Sequence, residues 1–472
     1  MELFIDPDDD RGLTRQLYDQ LRDAIVDGRL APGARLLPTR LVAADLGVSR
    51  STVTEVYGRL AAEGYVEGRA GGGSVVAAAI AAPPDARPAA ALTPTARAAA
   101  TRRYGDDPAD RAAFDLRAGR VDPALFPAGP WRRCVLAGLR RSPAQYGDPA
   151  GEPDLRAALA RWVVRSRGVA TTPERIVVTS GAGHAVDLVA RVLLEPGDVA
   201  AVEEPGYPPV AELLAAQGVE VVGVPVDEQG LVVDAIPARA RLVHVTPSHQ
   251  YPLGVVMSRG RRGELLRWAS RHDVAVVEDD YDSEFRHTAR PLEPLHRLDR
   301  DGRVVYVGTF SKSLGPGIRV GFLVAPPSLV PAIVAARQAV DWCPPAVTQA
   351  AMTAFIEDGH LGRHLRRART AYRDRYQAVR RALAELLPPG YRPVPAQAGL
   401  HVAVLGPGTP PEDELHPRAA AHDLRLSSLR RTYRGGDPAP GFLVGFGALP
   451  TRLVPAAIRS LAATLEGRAG PP

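Results

Sequence analysis

The chain has 472 residues, enough for two or three domains with sizeable cores. Hydrophobic residues make up 45% and charged residues 24%, the balance of a water-soluble globular protein, and a net charge of +5 leaves nucleic-acid binding open. Two cysteines, Cys134 and Cys343, make neither a disulfide framework nor a metal motif and favour a reducing compartment; the opening MELFIDPDDDRG lacks the apolar run of a signal peptide, and VVAAAIAA at 75–82 is too short to span a bilayer, so a cytoplasmic location is expected.

The first 76 residues read as three helices and a hairpin. In LTRQLYDQLRDAIVDGRL, Leu17, Leu21, Ala24 and Ile25 share one helical face, with Thr14 as the expected cap and Gly28 as the stop. TRLVAADLGVS is a shorter helix ending at Gly47. SRSTVTEVYGRLAAEGYV opens a third at Ser49, its expected N-cap, and aligns Val53, Val56, Tyr57 and Leu60. A short helix, a glycine turn and a second amphipathic helix form a helix-turn-helix. YVEGRAGGGSVV then adds two short strands around a glycine-rich tip, a wing.

Residues 77–112 turn to alanine, proline and arginine with no lasting apolar period, so they read as a linker, semi-rigid where the prolines cluster. Residues 113–470 alternate buried strands, among them RIVVTS, LVHVTP, VAVVED and RVVYVGTF, with helical segments; this order predicts an α/β domain with a mainly parallel sheet. Ligands of such sheets bind at the carboxyl ends of the strands, and polar residues follow these strands directly. VVTSGAGHAVDLVARVL is a strand, a small-residue turn and a helix, which puts the amides of Ala182 and Gly183 at a helix N-terminus suited to phosphate. Tyr207, in EEPGYPP, is either a turn residue or a ring that stacks on a ligand.

VAVVEDDYDSEF sets Asp279 and Tyr281 two residues apart, on one face of a strand. The acidic run Glu278, Asp279, Asp280, Asp282 and Glu284 equally suits a metal site, a solvated loop or a pyridoxal 5'-phosphate site. In the last case Asp279 keeps the pyridine nitrogen protonated, which makes the ring an electron sink, and Tyr281 sits beside the 3'-oxygen. GTFSKSLGPGIRVGF follows, from Gly308 to Phe322, and holds Lys312, the one lysine among 58 basic residues. Arginine stays protonated, whereas a lysine in suitable surroundings loses its proton and attacks a carbonyl. Drift in a GC-rich genome explains the bias toward arginine, but not why the one survivor lies in a Ser/Gly-rich turn between apolar runs. Thr309 and Ser311 add hydroxyl donors, and Arg319 adds a charge-assisted donor, for a phosphate.

GARLLPTRLVAADLGVSRSTVTEVYGRLAAEGYV resembles the winged helix-turn-helix of GntR regulators. RAGRVDPALFPAGPW, YGDPAGEPDLRAAL, TPSHQYPLGVVMS, EDDYDSEFR, GTFSKSLGPGIRVGF and AGLH resemble fold-type-I pyridoxal-phosphate aminotransferases. The two in this order resemble the MocR subfamily of bacterial transcription factors, over nearly the whole chain except the linker. The resemblance implies pyridoxal phosphate as cofactor, Lys312 as its Schiff-base lysine, Asp279 and Tyr281 as nitrogen and oxygen partners, Arg319 as a phosphate ligand and Tyr207 as the stacking ring. Tyr146 matches the tyrosine that reaches the phosphate of the neighbouring subunit, which implies a homodimer with shared sites. Arg40, Ser49, Arg50, Ser51 and Thr52 match residues that face double-stranded DNA, and their types suit phosphates and guanine edges. A metal and a membrane have no part in this reading.

Three departures stand out. The Asn-Pro-Thr-Gly loop of aminotransferases, whose asparagine touches the cofactor oxygen, is HQYPLG here, leaving His249, Gln250 or Tyr251 in that role. The arginine that grips the substrate carboxylate is replaced by Leu443 in GFLVGFG, with Arg430, Arg431 and Arg434 in a nearby loop. RLLPTR carries its proline one place late. The expected function is a pyridoxal-phosphate-dependent transcription regulator that senses an amino compound or pyridoxal phosphate itself, with at most weak or half transamination. The rival is a working aminotransferase with an autoregulatory DNA-binding head.

Overall fold

Helix α1 (Leu13–Val26), α2 (Thr39–Leu46) and α3 (Arg50–Ala62) open the chain, followed by the antiparallel pair β1 (Val66–Arg69) and β2 (Gly73–Val76). The computed structural model describes residues 3, 6, 11–69, 73–77, 92–95, 98, 112–140, 145–287 and 293–468. The apolar faces read from the sequence meet in one core: Leu17, Leu21, Ala24 and Ile25 of α1 and Val53, Val56, Tyr57 and Leu60 of α3 are all buried. Ser49 caps α3, its hydroxyl accepting from the Thr52 amide at 3.1 Å. α2 ends at Gly47 in the left-handed region, φ 64°, where a side chain is disfavoured. Thr14 does not cap α1. Gly12 holds that position with φ 71°, a conformation glycine adopts without strain, and Thr14 lies inside the first turn.

The chain divides into two units, Met1–Pro94 and Thr95–Pro472. The expected linker, 77–112, falls almost wholly outside the described residues. The second unit is built on an eight-stranded sheet ordered β4 (Ile176–Thr179), β11 (Gly321–Val324), β10 (Val304–Thr309), β9 (Ala275–Asp280), β8 (Ala240–Val245), β5 (Val199–Glu204), β6 (Glu220–Asp227), β7 (Gly230–Leu231). β10, β9, β8, β5 and β6 run parallel; β11 lies antiparallel between β10 and β4, and β7 pairs antiparallel with β6. Strand periodicity sends alternate residues to opposite helical layers. Val277 packs with the Ala182–Leu193 helix, and its neighbour Val276 packs with Leu265 and Trp268 of the Arg259–His272 helix.

A second sheet is ordered β12 (Arg392–Pro393), β13 (His401–Leu405), β15 (Gly441–Gly445), β14 (Leu424–Ser428), β3 (Phe114–Leu116). The 27-residue helix His360–Leu386 lies on this part of the core through Leu361, Leu365, Tyr372, Val379 and Leu383, a stripe at helical spacing. Among the described residues, no helix is long and apolar enough to cross a membrane.

Candidate active site

The parallel strands deliver their following residues to one rim of the large sheet, as expected for a doubly wound fold. Ala182 and Gly183 come after β4, Tyr207 after β5, Thr246 and Tyr251 after β8, Asp279 and Tyr281 from the end of β9, and Thr309, Ser311 and Lys312 from the end of β10. Together with Arg319, Leu400 and His401 they line a cavity of ≈ 370 Å³, within the range of about 300–1,000 Å³ common to small-molecule sites.

Lys312 Nζ donates to the Gly119 carbonyl at 2.9 Å. A Cβ on Gly119, whose φ is +85°, would lie 2.9 Å from that nitrogen, so a side chain there would displace the amine. Burial pushes the Lys312 ammonium below its ordinary pKa against the opposing pull of Asp282 and Asp279, which brings the neutral, nucleophilic amine within reach.

Asp279 is 3% exposed. Its Oδ2 lies 3.5 Å from His244 Nε2, and its Oδ1 has no partner among the described residues. A buried carboxylate oxygen left without a donor is costly, and a protonated ring nitrogen is the kind of group that satisfies it. Tyr281 reaches His249 Nδ1 with its hydroxyl at 3.0 Å, and burial holds its phenol well above the ordinary value, so it remains a proton donor. Donors suited to a phosphate line the cavity: the N-terminus of the Ala182–Leu193 helix, the Thr309 and Ser311 hydroxyls 3.0 Å apart, and Arg319. Gly181, φ +112°, lets the backbone pass beside the guanidinium: a Cβ there would sit 3.3 Å from Arg319 Nη1. The donors, the amine and the orphaned acid fit pyridoxal phosphate.

Two of the three candidates in HQYPLG lie off the cavity wall. His249 is buried behind Tyr281, with Nδ1 3.0 Å from both Asp282 oxygens, and does not line the cavity. Gln250 is spent on the Pro205 and Tyr251 carbonyls at 2.8 and 2.6 Å, so of the three candidates in HQYPLG only Tyr251 faces the cavity. Tyr146 is 76% exposed and stacks on exposed Trp342 with ring centres 4.7 Å apart, outside this chain's cavity. The acidic run splits: Asp279 and Asp282 line the cavity, whereas Glu278 accepts from the Leu295 and His296 amides at 2.9 Å, and Asp280 from Arg167 and the Tyr306 hydroxyl at 2.6 Å. Leu443 is fully buried against Ala403 and Leu429, and Arg430, Arg431 and Arg434 do not line the cavity.

Sequence reasoning missed His244 and His401, and named Asp282 only as a member of the acidic run. AGLH was visible as a motif, but nothing in its spacing marked His401 as a wall of the cavity. It also missed Glu203 beneath the site, whose carboxylate accepts from the Thr246 amide at 3.2 Å and from the Thr246 hydroxyl. Burial pushes Glu203 up from 4.5 to about 7. The folded state then holds the proton more tightly, so this stabilisation is full below about pH 4.5 and is lost as pH rises through about 7. Glu203→Gln is expected to lose a few degrees less in melting temperature than wild type between about pH 5 and 8. Equal losses in the two proteins would refute the assignment.

In the head, Arg40, Ser49, Arg50 and Ser51 are exposed at the starts of α2 and α3, and Thr52 is half-buried. Ser49 Oγ lies 2.7 Å from Ser51 Oγ and 2.8 Å from Thr52 Oγ1, a hydroxyl cluster around the cap.

Residues 13–76 match the family described as bacterial regulatory proteins, gntR family, and residues 123–427 match aminotransferase class I and II. The chain is 36% identical to the probable rhizopine catabolism regulatory protein MocR of Rhizobium meliloti, over 97% of this chain and 95% of that one. It is 32% identical to the HTH-type pyridoxine biosynthesis transcriptional regulator PdxR of Corynebacterium glutamicum, over 95% of each. Its second unit is similar to the kynurenine aminotransferase of Pyrococcus horikoshii solved in complex with PMP, with TM-score 0.70 and 28% identity over 75% of this chain and 91% of that one.

Proposed function

The chain belongs to the MocR-type GntR transcription regulators, a DNA-binding head on an aminotransferase-like body that uses pyridoxal phosphate, and on that premise we propose how its residues divide the work. Residues 1–76 read DNA, 77–112 link, and 113–470 sense. When bound, pyridoxal phosphate supplies an electrophilic carbonyl carbon and an electron-withdrawing ring. Lys312 is the residue joined to it. Asp279, backed by His244, holds the proton of the ring nitrogen. Tyr281, oriented by His249 and Asp282, donates to the ring oxygen, and Tyr207 covers the ring. The amides of Ala182 and Gly183, the hydroxyls of Thr309 and Ser311, and Arg319 take the phosphate. The observation that carries this reading is a desolvated amine and an unpartnered buried carboxylate oxygen in one cavity.

The effector is an amino compound that competes with Lys312, or pyridoxal phosphate itself. Either biases the regulator only through different affinities for its DNA-binding and non-binding arrangements. The functional form is a homodimer. The support is Tyr146, a large aromatic side chain left exposed beside Trp342, which a second subunit would cover. The test uses the full chain, loaded and unloaded, on a duplex from the region upstream of its own gene, with a panel of amines. Absorbance changes and DNA affinity are expected to move together; affinity that ignores both loading and amines overturns the sensing role.

Arg50 stands at the start of α3, exposed and beside the hydroxyl cluster. Arg50→Ala is expected to weaken DNA binding by about 1–3 kcal/mol if it reads a base and to leave cofactor loading unchanged. Unchanged affinity for the upstream duplex would remove Arg50 from the DNA interface.

A further inference from the structure

Charge is unevenly distributed along this chain. Residues 13–76, which match the DNA-binding family, hold eight arginines against seven acidic residues, a net charge of only +1. Four of those arginines are already paired within the head: Arg15 with Asp19, Arg22 with Asp19 and Asp23, Arg29 with Asp27, and Arg59 with Glu63. Duplex DNA carries a negative charge about every 1.7 Å along its axis, and neutralising phosphates supplies most sequence-independent affinity. A nearly neutral head contributes little to that attraction.

The opposite charge is concentrated in one helix of the other unit. His360–Leu386 holds eight arginines and two acidic residues, a net charge of +6, against +5 for the entire chain. Seven of the eight arginines are exposed; only Arg375 is buried, on Asp122 and the Gly447 carbonyl. Arg366, Arg373 and Arg380 recur every seven residues and so form one ridge of roughly 21 Å, the length of about six base pairs. The two acidic residues, Asp374 and Glu385, lie about a quarter-turn or more round the helix from this ridge. Among the described residues, none of the three arginines has an acidic partner. The adjacent helix Val454–Leu465 adds exposed Arg459. The exposed face has no aromatic ring on which a single strand would stack and no apolar stripe that would enter a lipid surface.

We propose that the ridge Arg366–Arg373–Arg380 is a second DNA-contact surface, which holds backbone phosphates of the duplex by charge and carries no base readout. Partner and surface match in sign, and DNA is the polyanion this regulator already binds.

The test is the salt dependence of full-chain binding to the upstream duplex, read by fluorescence anisotropy. Each neutralised phosphate contributes about 0.9 to the slope of log affinity against log salt. Arg366→Gln/Arg373→Gln/Arg380→Gln is expected to lower that slope by about 3 per engaged subunit. The triple Lys variant, which keeps the charge, is expected to retain it. Glutamine keeps helix propensity, and Arg373→Gln alone reads about one unit if the triple variant folds poorly. An unchanged slope in the Gln variant overturns the proposal, as does an equal fall in the Gln and Lys variants. A wild-type protein that binds neither this duplex nor an unrelated one overturns DNA binding itself, a separate and larger failure.

Discussion

Borohydride reduction of the cofactor-loaded protein is expected to fix a pyridoxyl group on Lys312, and Lys312→Arg is expected to leave no reducible cofactor at all. The chemistry needs a primary amine that gives up its proton, and the chain has one lysine side chain. Lys312 is half-buried, and its desolvation lowers the pKa of the amine. Arginine keeps the positive charge and most of the length but remains protonated at any pH the fold tolerates. Lys312→Arg therefore separates electrostatic attraction for the phosphate from covalent capture. Peptide mapping after reduction reads the outcome directly. An adduct on the chain's terminal amine, or reducible absorbance that survives in Lys312→Arg, would show that the sole lysine is not the attachment point.

The sheet rim was legible because its signals are local. A buried strand followed at once by polar residues marks the carboxyl edge of a parallel sheet, and alternation put Asp279 and Tyr281 on one face without any tertiary information. The same alternation explains why the acidic run split, since Glu278 and Asp280 point to the other face and find the Leu295 amide and Arg167. His244 was not legible. It sits on β8, 35 positions before Asp279, and only the parallel pairing of β8 with β9 brings the two together. His249 was legible as a substitute for the aminotransferase asparagine but not as a residue behind Tyr281. That placement depends on Asp282 and on the close approach of Gly399, where a Cβ would lie 2.0 Å from the imidazole.

Amino compounds are expected to change the absorbance of the loaded protein without sustained transfer of amino groups to pyruvate or 2-oxoglutarate. A full transamination cycle must hold two different carboxylate substrates in one geometry and displace Lys312 twice. Orientation of that kind contributes several kcal/mol to a barrier. Aminotransferases supply part of it with a forked arginine; the resemblance puts Leu443 at that position, and Leu443 is fully buried among Ala403 and Leu429. The loop arginines do not compensate from where they stand: Arg431 is paired with Glu412, and Arg430 and Arg434 lie off the cavity wall. Arg120, which acts electrostatically on Lys312, faces Asp115 at 3.5 Å. Among the described residues, the cations that line the cavity are Lys312 and Arg319, proposed above to meet the carbonyl carbon and the phosphate. Two charge-assisted hydrogen bonds at about 1.5–3 kcal/mol each amount to at least a hundredfold in rate. Turnover is therefore expected at least about a hundredfold below the ~10 per second typical of enzymes. A single exchange at Lys312 needs no clamp of this strength and is enough to report that an amine has arrived. Incubation of the loaded protein with amino donors and each keto acid over many equivalents decides the matter, because repeated turnover at ordinary enzyme rates would make the body a working aminotransferase.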